Sequence, residues 1–96
     1  MTQPSLTYEQ FEADAKLRGF DEVIERRWSP GLVLQPHVHT FAVNALVVQG
    51  EMWLTVGAAT QHLQAGQSFD LDRAVEHSER YGVEGAVVWV ARRNAG

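Results

Sequence analysis

From Phe20 to the end of the chain, apolar residues come in short blocks or strict alternation, broken every few positions by Gly, Pro, Asn or Ser. That is the rhythm of strands and turns. The segments "FDEVIERRW", "LVLQPHVH", "EMWLTV", "QHL", "SFDL", "EHSERY" and "AVVWVAR" read as strands. Between them, Ser29-Pro30-Gly31, Gln49-Gly50, Gly57 to Thr60, Ala65-Gly66 and Gly82 to Gly85 read as turns. Only "SLTYEQFEADAKLRG" has a helical pattern. Thr7 is its N-cap, and Gln10 three residues on completes a capping box. Leu6 and Phe11 stand at the staple positions on either side of the cap. Leu17 continues the apolar stripe, Lys16 and Arg18 suit the negative end of the helix dipole, and Gly19 stops the helix. The pattern predicts one short helix over residues 7–18. It is followed by an all-β barrel or sandwich of two antiparallel sheets over residues 20–92.

Composition narrows the function classes. The chain has 96 residues, 45% hydrophobic and 21% charged, as expected for one globular domain. A net charge of −4 disfavours non-specific attraction to phosphate backbones, and the pairs Arg26-Arg27 and Arg92-Arg93 are too small for a nucleic-acid footprint. No apolar run approaches the roughly 20 residues of a membrane helix, and no signal segment opens the chain. The absence of cysteine removes disulfides and thiolate ligands, and a cytoplasmic location is the default expectation.

The chemistry must come from elsewhere. Two of the chain's 4 histidines stand together in "PHVHTFAVNALVVQG", at the head of a long apolar run. On a strand, His37 and His39 share one face about 6.6 Å apart. From there both imidazoles can reach one ion at the usual zinc–nitrogen length of about 2.0–2.1 Å. Two polar residues at a strand entrance would look the same, so this pair alone leaves both readings open. Strand parity puts His37, His39, Phe41, Val43, Ala45 and Val47 on one face and Asn44 on the other.

A third histidine adds a second spacing. Gly31, five residues, then His37-x-His39, with Gly50 further on, is similar to the first motif of the cupin family. Gly66, ten residues, then His77 is similar to the second. The resemblance covers Gly31 to Tyr81, about half the chain. It implies a single-domain cupin, a jelly-roll barrel with a metal held by His37, His39 and His77. The sequence also departs from the family. Val43 stands where the first motif has its metal-binding glutamate, and Asn44 could serve only across a bulge. In the second motif Asp72 and Ala74 replace Pro and Gly, and Tyr81 replaces Asn.

Three imidazoles are enough for a divalent ion, and imidazole suits zinc, iron and nickel, with manganese a further candidate. "HSERY" places His77, Glu79 and Tyr81 on one face. Glu79 is therefore a candidate fourth ligand or general acid or base, and Tyr81 either a half-buried aromatic at the barrel mouth or a candidate hydrogen-bond donor to a ligand. A rim glutamate paired with arginine would look the same in sequence. His62 reads as a solvated residue beside a turn, and no residue is assigned to an organic cofactor.

Phe41 and Val43 would line an apolar pocket for a small molecule. The family resemblance implies either a metal-dependent enzyme, dioxygenase- or isomerase-like, or a non-catalytic binding or sensor barrel. The outward face of the long run, Ala42, Leu46 and Val48, is also apolar. A strand apolar on both faces needs cover on both. The short helix is too small for all of it, so the sequence predicts a homodimer.

Overall fold

The computed structural model describes residues 6–94. One helix, α1 (Tyr8–Leu17), precedes six strands: β1 (Glu22–Trp28), β2 (Val33–His37), β3 (Ala42–Val56), β4 (Ala59–Gln64), β5 (Ser68–Leu71) and β6 (His77–Arg93). All strand pairings are antiparallel. The architecture turns on β3 and β6, 15 and 17 residues long, which pair with each other along most of their length. The first part of β3 and the last part of β6 lie between β5 and β1. The last part of β3 and the first part of β6 lie between β4 and β2. The two long strands thus run through two four-stranded halves, which share one core between them.

The Gln49-Gly50 and Gly82–Gly85 segments, predicted as turns, are bends within continuous strands. Their register shifts at Val47/Gln49 and Gly50/Met52 are β-bulges, which re-aim the side chains. Before the bend Val43, Ala45 and Val47 are buried; after it Met52 and Leu54 are. The inward parity switches from odd to even, so both halves of β3 face the same core. Glycine is required here. Gly50 has φ +78°, and a Cβ on it would collide with the Gly85 carbonyl oxygen. Gly85 has φ +74°, and a Cβ there would meet the Trp28 carbonyl oxygen.

The helix forms as its cap predicts. Thr7 Oγ1 accepts from the Gln10 amide at 3.1 Å, and Gln10 Oε1 accepts from the Thr7 amide at 2.9 Å. Its buried stripe differs from the expectation. Leu17 is 88% exposed, whereas Phe11 and Ala15 are buried against Val23 and Ala91. The small Ala15 side chain allows close approach to the sheet, a role that hydropathy alone does not rank above a leucine's. Tyr8 donates to the Val23 carbonyl at 2.9 Å and meets Trp89 edge-on. The helix therefore covers part of the outward face, with Leu46 packed against this second cluster.

Candidate metal centre

His37 closes β2 and His77 opens β6, and the two are direct cross-strand partners. Antiparallel pairing sets their rings side by side, with centroids 4.3 Å apart. His39 lies just beyond β2, not within a strand. Its position is held by a backbone hydrogen bond from the Ala74 amide to its carbonyl at 2.9 Å. Its ring lies 4.9 Å from both His37 and His77. One ligand atom from each of the three histidines falls within 4.8 Å of the others. In a tetrahedral shell with bonds of 2.0–2.1 Å the spacing is about 3.4 Å, so small rotations of the rings suffice.

Two tautomers are settled by the backbone. His37 Nδ1 lies 2.6 Å from the Gln35 carbonyl and His77 Nδ1 3.0 Å from the Val75 carbonyl. A carbonyl only accepts, so in each neutral ring Nδ1 carries the proton and Nε2 presents a lone pair. Both Nε2 atoms point at one oxygen, Glu79 Oε2, at 3.4 Å from His37 and 3.6 Å from His77. Two lone pairs facing a carboxylate repel it, and either a proton or a metal cation among them relieves that repulsion. The donor set fits a divalent ion held by His37, His39 and His77, with Glu79 close enough to join.

Glu79 is itself oriented. Tyr81 donates its hydroxyl proton to Glu79 Oε1 at 2.6 Å, leaving Oε2 toward the histidines. Tyr81 is only 2% exposed and stacks on Trp28 at 5.0 Å. Burial, then the neighbouring Glu79 charge, drives its pKa far above the usual tyrosine value, so it remains a phenol and a donor. Tyr81 is thus an aromatic packed into the cavity lining, and its hydroxyl is engaged by a side chain of the protein. Burial, reinforced by His77 and His37, lowers the pKa of His39 below 6.5.

These groups open into a cavity of about 470 Å³, large enough for a small organic molecule. Phe41 and Val43 line it as the sequence suggested, together with Met52, Leu71, Val88 and Val90. Asn44 does not line it. Its side chain donates to Asp70 Oδ1 at 2.8 Å and accepts from Arg18 at 3.1 Å, on the opposite face of β3. Normal alternation holds at Asn44 because the bulge in β3 comes later, after Val47. His62 stacks on Trp53 at 4.6 Å and lies 2.7 Å from Glu51, also away from the cavity. Sequence reasoning missed Arg26, Trp28 and Arg92 as cavity residues. Parity would have placed Arg92 two residues beyond inward-facing Val90, but it read as half of a small basic pair.

No family model matches the chain, and no curated protein is similar to it in sequence. Solved structures do resemble it. An RmlC-like cupin from Shewanella frigidimarina superposes with a TM-score of 0.64 at 23% identity, over 73% of this chain and 63% of that one. The CENP-C cupin domain of Drosophila melanogaster gives 0.66 at 18% identity, over 73% and 59%. A structure of DMSP lyases gives 0.70 at 25% identity, over 77% and 38%. The chain therefore spans less than two thirds of the length of each of these proteins. The likeness is one of fold, and the fold is that of the cupins, a jelly roll of antiparallel strands with one short helix.

Proposed function

We propose that this cupin-fold chain is a metal-dependent enzyme acting on a small organic substrate at the His37–His39–His77 centre. The observation that carries the reading is the convergence of two backbone-fixed Nε2 lone pairs, His39 and the Glu79 carboxylate at the mouth of an apolar cavity. A divalent ion bound there would supply a Lewis acid, able to polarise an oxygen of the substrate or acidify a bound water. The protein's own groups do the rest. The Gln35 and Val75 carbonyls hold the two rings in the binding tautomer. The Tyr81 hydroxyl fixes Glu79, whose Oε2 is placed to hold or move a proton at the substrate. The apolar walls around Val43 and Val88 would seat the apolar part of a substrate. Dioxygenase-like and isomerase-like reactions would both draw on a divalent ion held by His37, His39 and His77 beside the Glu79 carboxylate.

The test is direct. Purified protein incubated with zinc, iron, manganese or nickel is expected to retain one ion per chain by elemental analysis, and His39→Ala to retain none. Binding no higher in the wild type than in the His39→Ala protein removes the reading. Glu79→Gln then separates roles: lost metal makes Glu79 a ligand, and retained metal with lost turnover makes it the acid or base.

A second reading, a non-catalytic binding barrel, draws on one observation. Tyr81 is engaged with Glu79, so the cavity keeps a single carboxylate for proton transfer beside its imidazoles. The CENP-C cupin domain shares the fold as well. Ligand binding with no turnover across a panel of small acids and diketones would favour it. We further propose that the part of the β3 outer face beyond the helix, around Val48, seats a second copy of the chain, which sedimentation of the wild type checks. Among the described residues no helix is long and apolar enough to cross a membrane.

A further inference from the structure

The cavity that opens onto the histidine centre has a charged wall whose partners are incomplete. Two guanidiniums, Arg26 and Arg92, line it, against one acidic side chain, Glu79, which faces the histidines. Glu22, outside that lining, supplies the counter-charge for Arg92. Arg26 lies over the Trp28 ring at 4.5 Å, and among the described residues no carboxylate pairs with it. Arg92 lies over the Phe41 ring at 4.7 Å. Its carboxylate neighbour, Glu22, stands at 3.4 Å, the far end of hydrogen-bond range, and its buried Nε has no acceptor. A guanidinium carries five donors in a planar fork, and a buried donor without an acceptor is costly. Among the described residues Glu22 is thus the one carboxylate paired with Arg92, at the wall of an apolar cavity.

We propose that Arg92 is the anchor for a small carboxylate ligand with an apolar body. The inference rests on the metal-centre reading only for what happens at the ligand's other end. The geometry sets the size. Phe41 stacks on His39 at 4.7 Å, and Arg92 lies over the same Phe41 ring at 4.7 Å. The guanidinium is therefore no more than about 9 Å from the His39 ring, a limit set by simple geometry on those stacked contacts. A chain of a few carbons can span from a carboxylate on Arg92 to the histidine centre. Val43, Met52, Val88 and Val90 would enclose its body, and Arg26 would add attraction near the Tyr81 side. The planar fork of arginine matches a carboxylate in two-point fashion, which an amide or alcohol of the same shape does not reproduce.

The test uses pentanoate, butanoate and the uncharged pentanamide as probes, titrated calorimetrically into metal-free and zinc-loaded protein. Both acids are expected to bind the wild type, and pentanamide at least about tenfold more weakly. Arg92→Gln is expected to weaken pentanoate by about tenfold to a hundredfold while leaving zinc affinity unchanged. Arg92→Lys, which keeps the charge and the long stem, should retain part of the binding and serves if the glutamine variant fails to fold. Pentanoate binding to metal-free protein that Arg92→Gln removes supports the anchor even where zinc does not bind, so the two readings fail separately. Equal binding of pentanoate by wild type and Arg92→Gln overturns the proposal. So does acid binding that appears only with zinc and vanishes in His39→Ala, for the carboxylate then sits on the metal. No binding of either acid also overturns it.

Discussion

Ala74 stands at the position of the cupin motif's second-half glycine and has φ +63°, the left-handed region that L side chains avoid. It keeps that conformation while its amide holds the His39 carbonyl, so a strained turn positions a proposed ligand. Ala74→Gly should relieve about 1–2 kcal/mol of strain and lose roughly 0.4–1 kcal/mol to the freer unfolded chain. A net gain of up to about 1.6 kcal/mol is expected in urea denaturation; a loss would mean that the turn is not strained. His39 gives a second expectation. Its pKa in the folded protein lies below the ordinary 6.5, with burial the main cause. As pH falls through about 6.5 the unfolded chain takes up a proton that the folded one refuses. Metal-free protein should therefore be destabilised on going below about pH 6.5, with the loss levelling off once the folded His39 is also protonated. Denaturation midpoints across pH 5 to 8, compared with those of His39→Ala, measure this contribution. The H-x-H spacing showed the pair of histidines, but the tautomers that aim His37 and His77 at Glu79 depend on the Gln35 and Val75 carbonyls, and no sequence pattern encodes carbonyl direction.

At the scale of elements, the bends in β3 and β6 keep both halves of each long strand facing the one core. Gly50 and Gly57 both have positive φ, +78° and +60°, but only Gly50 faces a neighbouring backbone at close range; nothing lies within 4 Å of a Cβ at Gly57. Gly57→Ala should cost about 1 kcal/mol, the strain of the left-handed conformation alone. Gly50→Ala adds a collision with the Gly85 carbonyl and should cost about 3 kcal/mol or more. Parallel unfolding curves of the two variants separate conformation from crowding; equal losses would deny the close approach. The sequence marked both glycines as special positions, read Gly57 correctly as a turn, and misread Gly50, which bends its strand instead of ending it. A glycine that ends a strand and one that bends it look alike until the partner strand is known. The helix shows the same limit, since its cap was legible in Thr7 and Gln10, whereas exposed Leu17 and buried Ala15 were decided by the distance to the sheet.

For the whole molecule, a small barrel gains measurably from any ion that binds only its folded form. The proposed ligands, from β2, the loop after it and β6, come together only in the folded chain, so unfolding disperses them. At a metal concentration about a hundredfold above the dissociation constant, stabilisation is about 2.7 kcal/mol. For a domain of this size that corresponds to a rise in melting temperature of about 10 °C or more. Calorimetry with and without zinc is expected to show it in the wild type and not in His39→Ala; no shift in the wild type at saturating zinc would contradict a site formed by folding.

Local information sufficed for much of this protein. The strand-and-turn rhythm, the capped helix, the inward parity of Val43, Ala45 and Val47, and the cupin-like spacing all lie in neighbouring residues, where backbone geometry imposes a period of two or 3.6. Tertiary structure alone decided that β3 and β6 continue through their glycines. It also decided that Glu79 sits against His37 and that Arg92 reaches the wall of the same cavity. Those relations join residues far apart in the chain, and they depend on register between strands. A bulge of one residue reverses which face a side chain takes, and only the partner strand determines where the bulge falls.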